Sequence, residues 1–249
     1  MDQTLMAKKQ KESKFELVKT VLIAGLIALG FRSFLFEPFN IPSGSMVPSL
    51  LVGDYLFVSK FSYGYSRYSF PFGIAPFSGR IFEDKPERGD VAVFRQPTDP
   101  SIAFIKRVVG LPGDQIQVQG GILHINGEPV ERTYLGQATA TDGYSMMNFK
   151  VYEETLPNGS RHLIQERSDS DSYDNTAVYQ VPEGHYFMMG DNRDNSRDSR
   201  TTSVGFVPAE NMIGRADRLF FSHNGNARIW EIWKWPFAIR YGRIGDGII

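Results

Sequence analysis

Ser45 and Lys106 are the two side chains whose surroundings suit acyl transfer. Ser45 sits in Ile41-Pro42-Ser43-Gly44-Ser45-Met46-Val47-Pro48-Ser49-Leu50, a run framed by turn formers. Gly44 permits close approach to the Ser45 backbone, so a substrate carbonyl can meet the hydroxyl and a neighbouring N–H donor together. Alone, the same ten residues read equally as a Ser/Pro-rich linker. Lys106 lies in the β-type run 102–109, where Phe104, Lys106 and Val108 share one face and Ile105 and Arg107 the other. Apolar company penalises the ammonium form, lowers the lysine pKa and makes a neutral amine available as a general base. The alternative is an edge lysine whose head reaches water. Serine and lysine together favour a Ser-Lys dyad.

A third polar stretch, Gly190-Asp191-Asn192-Arg193-Asp194-Asn195-Ser196-Arg197-Asp198-Ser199-Arg200, follows the apolar run 186–189. Alternating Asp and Arg can satisfy one another as ion pairs, and the small Ser196 hydroxyl can accept a lysine N–H and orient the base. Arginines among the carboxylates repel a cation, so no metal is expected here. The loop at 168–175 carries Asp169, Asp171 and Asp174 without the glycine and closing glutamate of an EF-hand, and reads as solvated. His124, His162, His185 and His223 fall in a hairpin, a polar insertion, a strand start and a Gly/Asn turn, none beside a carboxylate-serine pattern. The Gly-x-Ser-x-Gly elbow, the His-Glu-x-x-His helix and the phosphate loop are absent. With no cysteine, disulfides, thiolate nucleophiles and Cys-ligated metal are excluded. No cofactor is expected.

The elements that must position these residues are short β-type runs between turn signals, at 55–58, 90–94, 102–109, 115–118, 122–125, 149–153, 162–166 and 185–189. Asn126-Gly127 and Asn158-Gly159 carry the type I′ hairpin signal, and Pro112-Gly113 suits the centre of a type II turn. Arg88-Gly89-Asp90 reads as a turn into the next strand. No long amphipathic helix competes, so the expected class is all-β, with sandwich and barrel both open. The segment 132–181 is more polar and reads as an inserted hairpin region in which little chemistry is expected. The 249 residues suffice for a real core, and 41% hydrophobic with 22% charged residues excludes a mainly disordered or polytopic membrane chain. With 27 Lys+Arg against 28 Asp+Glu the net charge is −1, and nothing in the charge balance argues for a nucleic-acid partner.

Residues 17–36, LVKTVLIAGLIALGFRSFLF, match a bilayer core of about 30 Å, with Lys19 and Arg32 near enough to the ends to snorkel. A cleaved signal peptide is the rival, but no small-x-small site follows the run. Lys8, Lys9, Lys11, Lys14 and Lys19 on the N-terminal side against Arg32 on the other set the orientation by the positive-inside rule. The expected layout is a cytoplasmic tail at 1–16, a transmembrane anchor at 17–36, and an exported catalytic β-domain at 37–249 with 132–181 inserted. Trp230, Trp233 and Trp235 cluster beside Phe237, Arg240, Tyr241 and Arg243. They suit either a headgroup contact, with the arginines drawn to anionic lipid, or a buried cluster.

Taken in order, Pro42-Ser43-Gly44-Ser45-Met46, Gly53-Asp54-Tyr55, Arg88-Gly89-Asp90-Val91, Lys106-Arg107-Val108-Val109-Gly110-Leu111-Pro112-Gly113-Asp114 and the stretch 190–200 resemble the blocks of the bacterial type I signal peptidase family. The resemblance implies a strongly bent antiparallel β-domain on a single N-terminal transmembrane helix. It implies a serine endopeptidase of the outer face of the bacterial cytoplasmic membrane that removes signal peptides after small-x-small sites. By it Ser45 is the nucleophile, Lys106 the base, Ser43 an oxyanion donor and Ser196 the lysine's orienting partner, braced by Arg107, Asp191, Asp198 and Arg200. Phe39, Ile41, Met46, Leu50, Phe104 and Ile105 are the implied pocket walls, and signal-peptide-bearing preproteins and membrane lipid the partners. Some members have two spans and a disulfide, and nothing in 132–181 matches a family block. A dedicated Ser-Lys maturation peptidase and a non-catalytic tethered β-domain binding exported chains are the rival readings.

Overall fold

The computed structural model describes residues 3–73, 75, 77–141, 146–227 and 230–248, with only the backbone at 3–14, 72, 140, 141 and 146. Residues 1 and 2 of the expected tail and 142–145 of the expected insertion lie outside the described residues. The chain opens with α1, Gln3–Phe34. Its stretch Phe15–Phe34 has a mean hydropathy of 1.7 and is 6% buried, long and apolar enough to cross a membrane by length and composition. The helix runs through the expected tail and stops two residues short of Phe36, which begins the first strand. Glu37 there accepts from Arg32 Nη2 at 2.6 Å and Pro38 lacks the N–H a helix would need.

Among the described residues eleven strands of four or more residues follow: β1 Phe36–Asn40, β2 Asp54–Ser59, β3 Val91–Arg95, β4 Ala103–Gly110, β5 Gln115–Gln119, β6 Ile122–Ile125, β7 Glu131–Thr141, β8 Met146–Thr155, β9 Arg161–Glu166, β10 His185–Met189 and β11 Met212–Ser222. All eight runs marked by alternation are strands. The main antiparallel sheet has the order β1-β2-β11-β3-β4-β10 and ends on the short strand Val207–Pro208. β7-β8-β9 form a second sheet, and β5-β6 with the short strands Tyr179–Gln180 and Glu128–Pro129 a third. The architecture is the expected all-β one.

β1, β7 and β11 were not marked by the sequence. β11 is the central strand that the alternation hides, because its register slips at Met212/Gly214, at Ala216/Arg218 and at Leu219/Phe221. Each slip breaks the period-2 pattern and bends the strand. Gly214 permits a close approach of β11 to β2: a Cβ there would lie 2.3 Å from the Ser59 carbonyl oxygen. The main sheet therefore curls. Its inner face buries Ile41, Met46, Leu50, Leu56, Val58, Val93 and Ile213. A second cluster around Phe94, Val108, Tyr186 and Met188 fills the other face, and a third around Ile116, Leu123 and Phe187 ties in β5 and β6.

Two turn expectations hold and one is corrected. Asn126 and Gly127 have φ of 56° and 86°, as type I′ requires, and Gly113 has φ 88° with Asp114 N–H bonded to Leu111 O, as type II requires. At Asn158-Gly159 only Gly159 has positive φ, and Leu156 and Ser160 close a three-residue loop. This is the type I turn with a glycine bulge, which relieves Asn158 of the left-handed conformation.

Candidate active site

Three strands, β2, β11 and β3, separate β1 from β4 in the sheet, yet the curl brings the turn after β1 onto β4. Lys106 Nζ lies 2.6 Å from Ser45 Oγ and donates to the Ile105 carbonyl at 2.9 Å. Ser45 occupies the middle of a short 3₁₀ turn, Gly44–Met46, in which the first N–H groups have no partner inside the turn. Ser43 caps that turn with an extended backbone, makes no side-chain capping bond and is exposed, so its hydroxyl is not committed to the turn.

Lys106 is 2% exposed, and its ammonium would sit 5.5 Å from the Phe104 ring centroid. Burial lowers its pKa from 10.5 to about 8, with Asp198 and Asp191 opposing and Arg197 and Arg200 assisting. Those carboxylates are held as anions. Burial alone would raise both, but Arg107 grips Asp191 through two bonds of 2.9 and 2.7 Å, and Arg200 grips Asp198 through two of 2.9 and 2.8 Å, and both end below the ordinary value. Asp198 also accepts from Gly190 N–H at 3.0 Å. Gly190 is required for another reason: a Cβ there would lie 2.2 Å from Ser196 Oγ and 2.5 Å from the Ser45 carbonyl oxygen.

The expected contact between Ser196 and Lys106 is not made. Ser196 is buried beside Gly190, but the lysine's two bonds go to Ser45 Oγ and to its own strand's carbonyl. Among the expected pocket walls, Ile41, Met46 and Leu50 are 3%, 0% and 1% exposed and form the floor beneath the serine turn. Burial leaves them no surface to offer, because the 3₁₀ turn points Met46 into the core. Phe39 and Ile105 are partly buried against the same cluster, and Phe104 against another.

Asn192 was not singled out in the sequence. Its backbone N–H donates to Ser45 O at 3.1 Å and its side-chain Nδ2 to Gly44 O at 2.9 Å, so one buried residue holds the serine turn twice. The sequence could have flagged it only as one of several polar residues in 190–200.

The segment 132–181, where little chemistry was expected, grips four successive residues of this loop. Gln165 N–H bonds Asp191 O, and Gln165 and Asn192 form a bridge. Arg193, 2% exposed, pairs with Glu154 of β8, and Arg167 and Ser168 N–H groups donate to Asp194 Oδ2. Against burial, Arg193 and His162 hold the Glu154 pKa down at about 2. His162 is buried, with Nε2 3.2 Å from Glu154 Oε2. Burial raises Glu166, beside Arg132, to about 7. In the polar loop Asp169 pairs with Arg132 and Lys150, and Asp171 with Arg167.

A sequence profile of the family described as signal peptidase, peptidase S26, matches residues 14–221. Relatives named signal peptidase I from Rickettsia typhi and Rickettsia prowazekii are each 48% identical over 204 residues, covering 79% of this chain and 76% of theirs. A crystal structure of a signal peptidase I from Enterococcus faecalis is 25% identical and covers 53% of this chain and 97% of that one, with a TM-score of 0.31.

Proposed function

The chain belongs to the signal peptidase family, peptidase S26, and from that premise we propose that it cleaves preproteins with Ser45 as nucleophile and Lys106 as general base. Its activity is that of a signal peptidase, and its substrates carry signal peptides. The observation that carries the dyad is the 2.6 Å separation of Nζ and Oγ on a lysine whose burial brings it toward neutrality.

The neutral amine takes the hydroxyl proton as Oγ attacks the scissile carbonyl. The Ser45 N–H and the Ser43 hydroxyl donate to the developing oxyanion, and the ammonium then returns the proton to the leaving amine. Water, activated by the same amine, hydrolyses the acyl-enzyme. β1 is an edge strand, and β10 covers only the Arg107–Gly110 half of β4, so two free backbone edges border Ser45. An extended signal-peptide end pairs with such edges, and the narrow space over Phe39, Phe104 and Ile105 admits small side chains at the −1 and −3 positions. Membrane anchoring by 15–34, with the catalytic domain on the outer face, is supported by the uncovered apolar helix and the lysines before it. In this layout 37–249 is the catalytic β-domain and 132–181 its insertion.

The test is cleavage of a preprotein by the detergent-solubilised chain. Ser45→Ala, Lys106→Met and the double variant should lose activity to the same extent, since the pair acts as a unit. Near-normal turnover by either single variant, with circular dichroism unchanged, overturns the dyad.

A further inference from the structure

A cleft of about 510 Å³ opens where α1 meets the β-domain, lined by Arg32, Glu37, Lys60, Phe70, Arg95 and Ser101 among others. Three of these are cations and one is a carboxylate, which leaves an excess of positive charge. Glu37 is already shared: Arg32 donates Nε and Nη2 to Oε1 at 3.1 and 2.6 Å, and Lys60 Nζ lies 2.7 Å from Oε2. Burial would raise Glu37, yet Lys60 and Arg32 together bring it below its ordinary value, so it stays an anion that orients both cations. Arg95 gives Nη1 to the neutral Ser101 carbonyl at 3.2 Å and has no carboxylate against it among the described residues. The Arg32 side chain is 59% exposed.

The mouth of this cleft lies at the end of the apolar helix. Phe70 packs edge-on against Phe34 at 5.5 Å, and Tyr65 donates its hydroxyl to Phe34 O. Phe31, Phe34 and Phe61 are each about half exposed there, the aromatic character of a headgroup boundary. Immediately beside it run the exposed apolar side chains of α1, Leu26, Ile27 and Leu29. A ligand matching all of this has an anionic head joined to long apolar chains. Free phosphate would leave the helix surface unused.

We infer that the cleft binds the phosphate of an anionic phospholipid in the outer leaflet, with Arg32 and Arg95 donating to its oxygens and the acyl chains lying along α1. The inference rests on the anchoring reading and deepens it: the helix fixes the protein in the membrane, and the lipid fixes the depth and tilt of the edge at which β1 begins. Lys60, buried and bonded to Glu37 and Ser69, serves to hold Glu37 in place.

The experiment uses the full chain in nanodiscs of phosphatidylcholine with a minor fraction of phosphatidylglycerol, and native mass spectrometry counts the phospholipid retained on release. The unmodified chain should retain phosphatidylglycerol in preference to phosphatidylcholine. Arg32→Gln with Arg95→Gln should cut that retention about tenfold or more, as expected for losing charge-assisted hydrogen bonds. Lys234→Gln, an exposed cation paired with Glu231 elsewhere, should change nothing. A melting curve for each variant, and Arg95→Lys as a charge-keeping control that retains lipid, separate loss of the site from loss of the fold. Equal retention by the double variant, or no preference for the anionic lipid, overturns the site while flotation with vesicles upholds the anchor. Failure of the unmodified chain to float overturns both. Displacement of the lipid by a synthetic signal peptide, with a raised KM in the double variant, assigns the cleft to substrate and also overturns the proposal.

Discussion

Lys106 and the charges facing it set the pH response. It faces Ser45, the buried Asp191 and Asp198 with their arginine partners, and the exposed Arg197, whose Cζ stands 5.1 Å from the same Phe104 ring. Below about 8 the lysine is an ammonium and cannot accept the serine proton, so kcat/KM should rise with pH through about 8 and level off above it. Arg197 disfavours the ammonium, so Arg197→Ala should raise the lysine pKa and move the limb to higher pH. The shift should be under about one unit and shrink with added salt, because an exposed charge is screened. Glu166 is raised by burial to about 7, close to this range, and Glu166→Gln should leave the limb in place. A limb that moves with Glu166 and not with Arg197 would assign the titration to the hairpin region. At Ser43, Ala should cost roughly 10² to 10³ in kcat and Thr far less, if the hydroxyl donates to the oxyanion. Equal losses would point to a disturbed turn.

The β8-β9 hairpin holds the loop 191–194 by backbone bonds and by one buried ion pair. Removing the carboxylate of Glu154 leaves Arg193 charged and unpaired inside the protein, so Glu154→Gln should cost about 3–5 kcal/mol in urea unfolding at neutral pH. Glu154→Gln with Arg193→Met should recover much of that loss, since the unpaired guanidinium is gone as well. The folded pKa of Glu154 lies below its unfolded value, so its stabilisation is complete above about 4.5 and is lost as pH falls through about 2. The difference between the parent and Glu154→Gln should therefore vanish in strong acid. Activity should fall in Glu154→Gln even where the protein stays folded, because Asn192, next in the chain, holds Ser45.

At the scale of the whole molecule, α1 and the C-terminal segment each carry a run of exposed apolar side chains. Trp230 and Trp233 are 68% and 65% exposed and Phe237 85%, whereas Trp235 is half-buried against Phe221. Arg240 and Arg243, expected to attract lipid, are instead turned onto the buried Asp54, which explains why that carboxylate can lie in the core. Any seating of the β-domain on the bilayer would then fall to the aromatic residues. In proteoliposomes with brominated lipid, Trp230→Phe with Trp233→Phe should remove most of the tryptophan quenching. Its melting temperature should barely move, as for other surface substitutions, while Trp235→Ala should lower it. Undiminished quenching in the double variant would mean that this segment does not touch lipid.

Several features follow from local chemistry and are legible without a structure. The apolar run 17–36 announces a helix, to within two residues at each end, because a chain crossing hydrocarbon must satisfy its backbone bonds internally. The β-runs announce themselves by alternation, and Ser45, Lys106 and the polar stretch 190–200 by residue type and company. What the tertiary structure decided is everything that depends on non-local approach. β11 escapes the alternation because bulges move its residues from face to face, and without β11 nothing explains how β1 reaches β4. Asn192 acquires its place only because β10 delivers it beneath the serine turn. Arg193 and Glu154, 39 residues apart, are both charged and unremarkable in sequence, and burial makes them a brace. Met46 and Leu50 change from pocket walls to floor, and Ser196 loses its expected contact, because exposure and hydrogen-bond partners are properties of packing. Residue type fixes which chemistry is available, and the curl of the sheet decides which atoms meet.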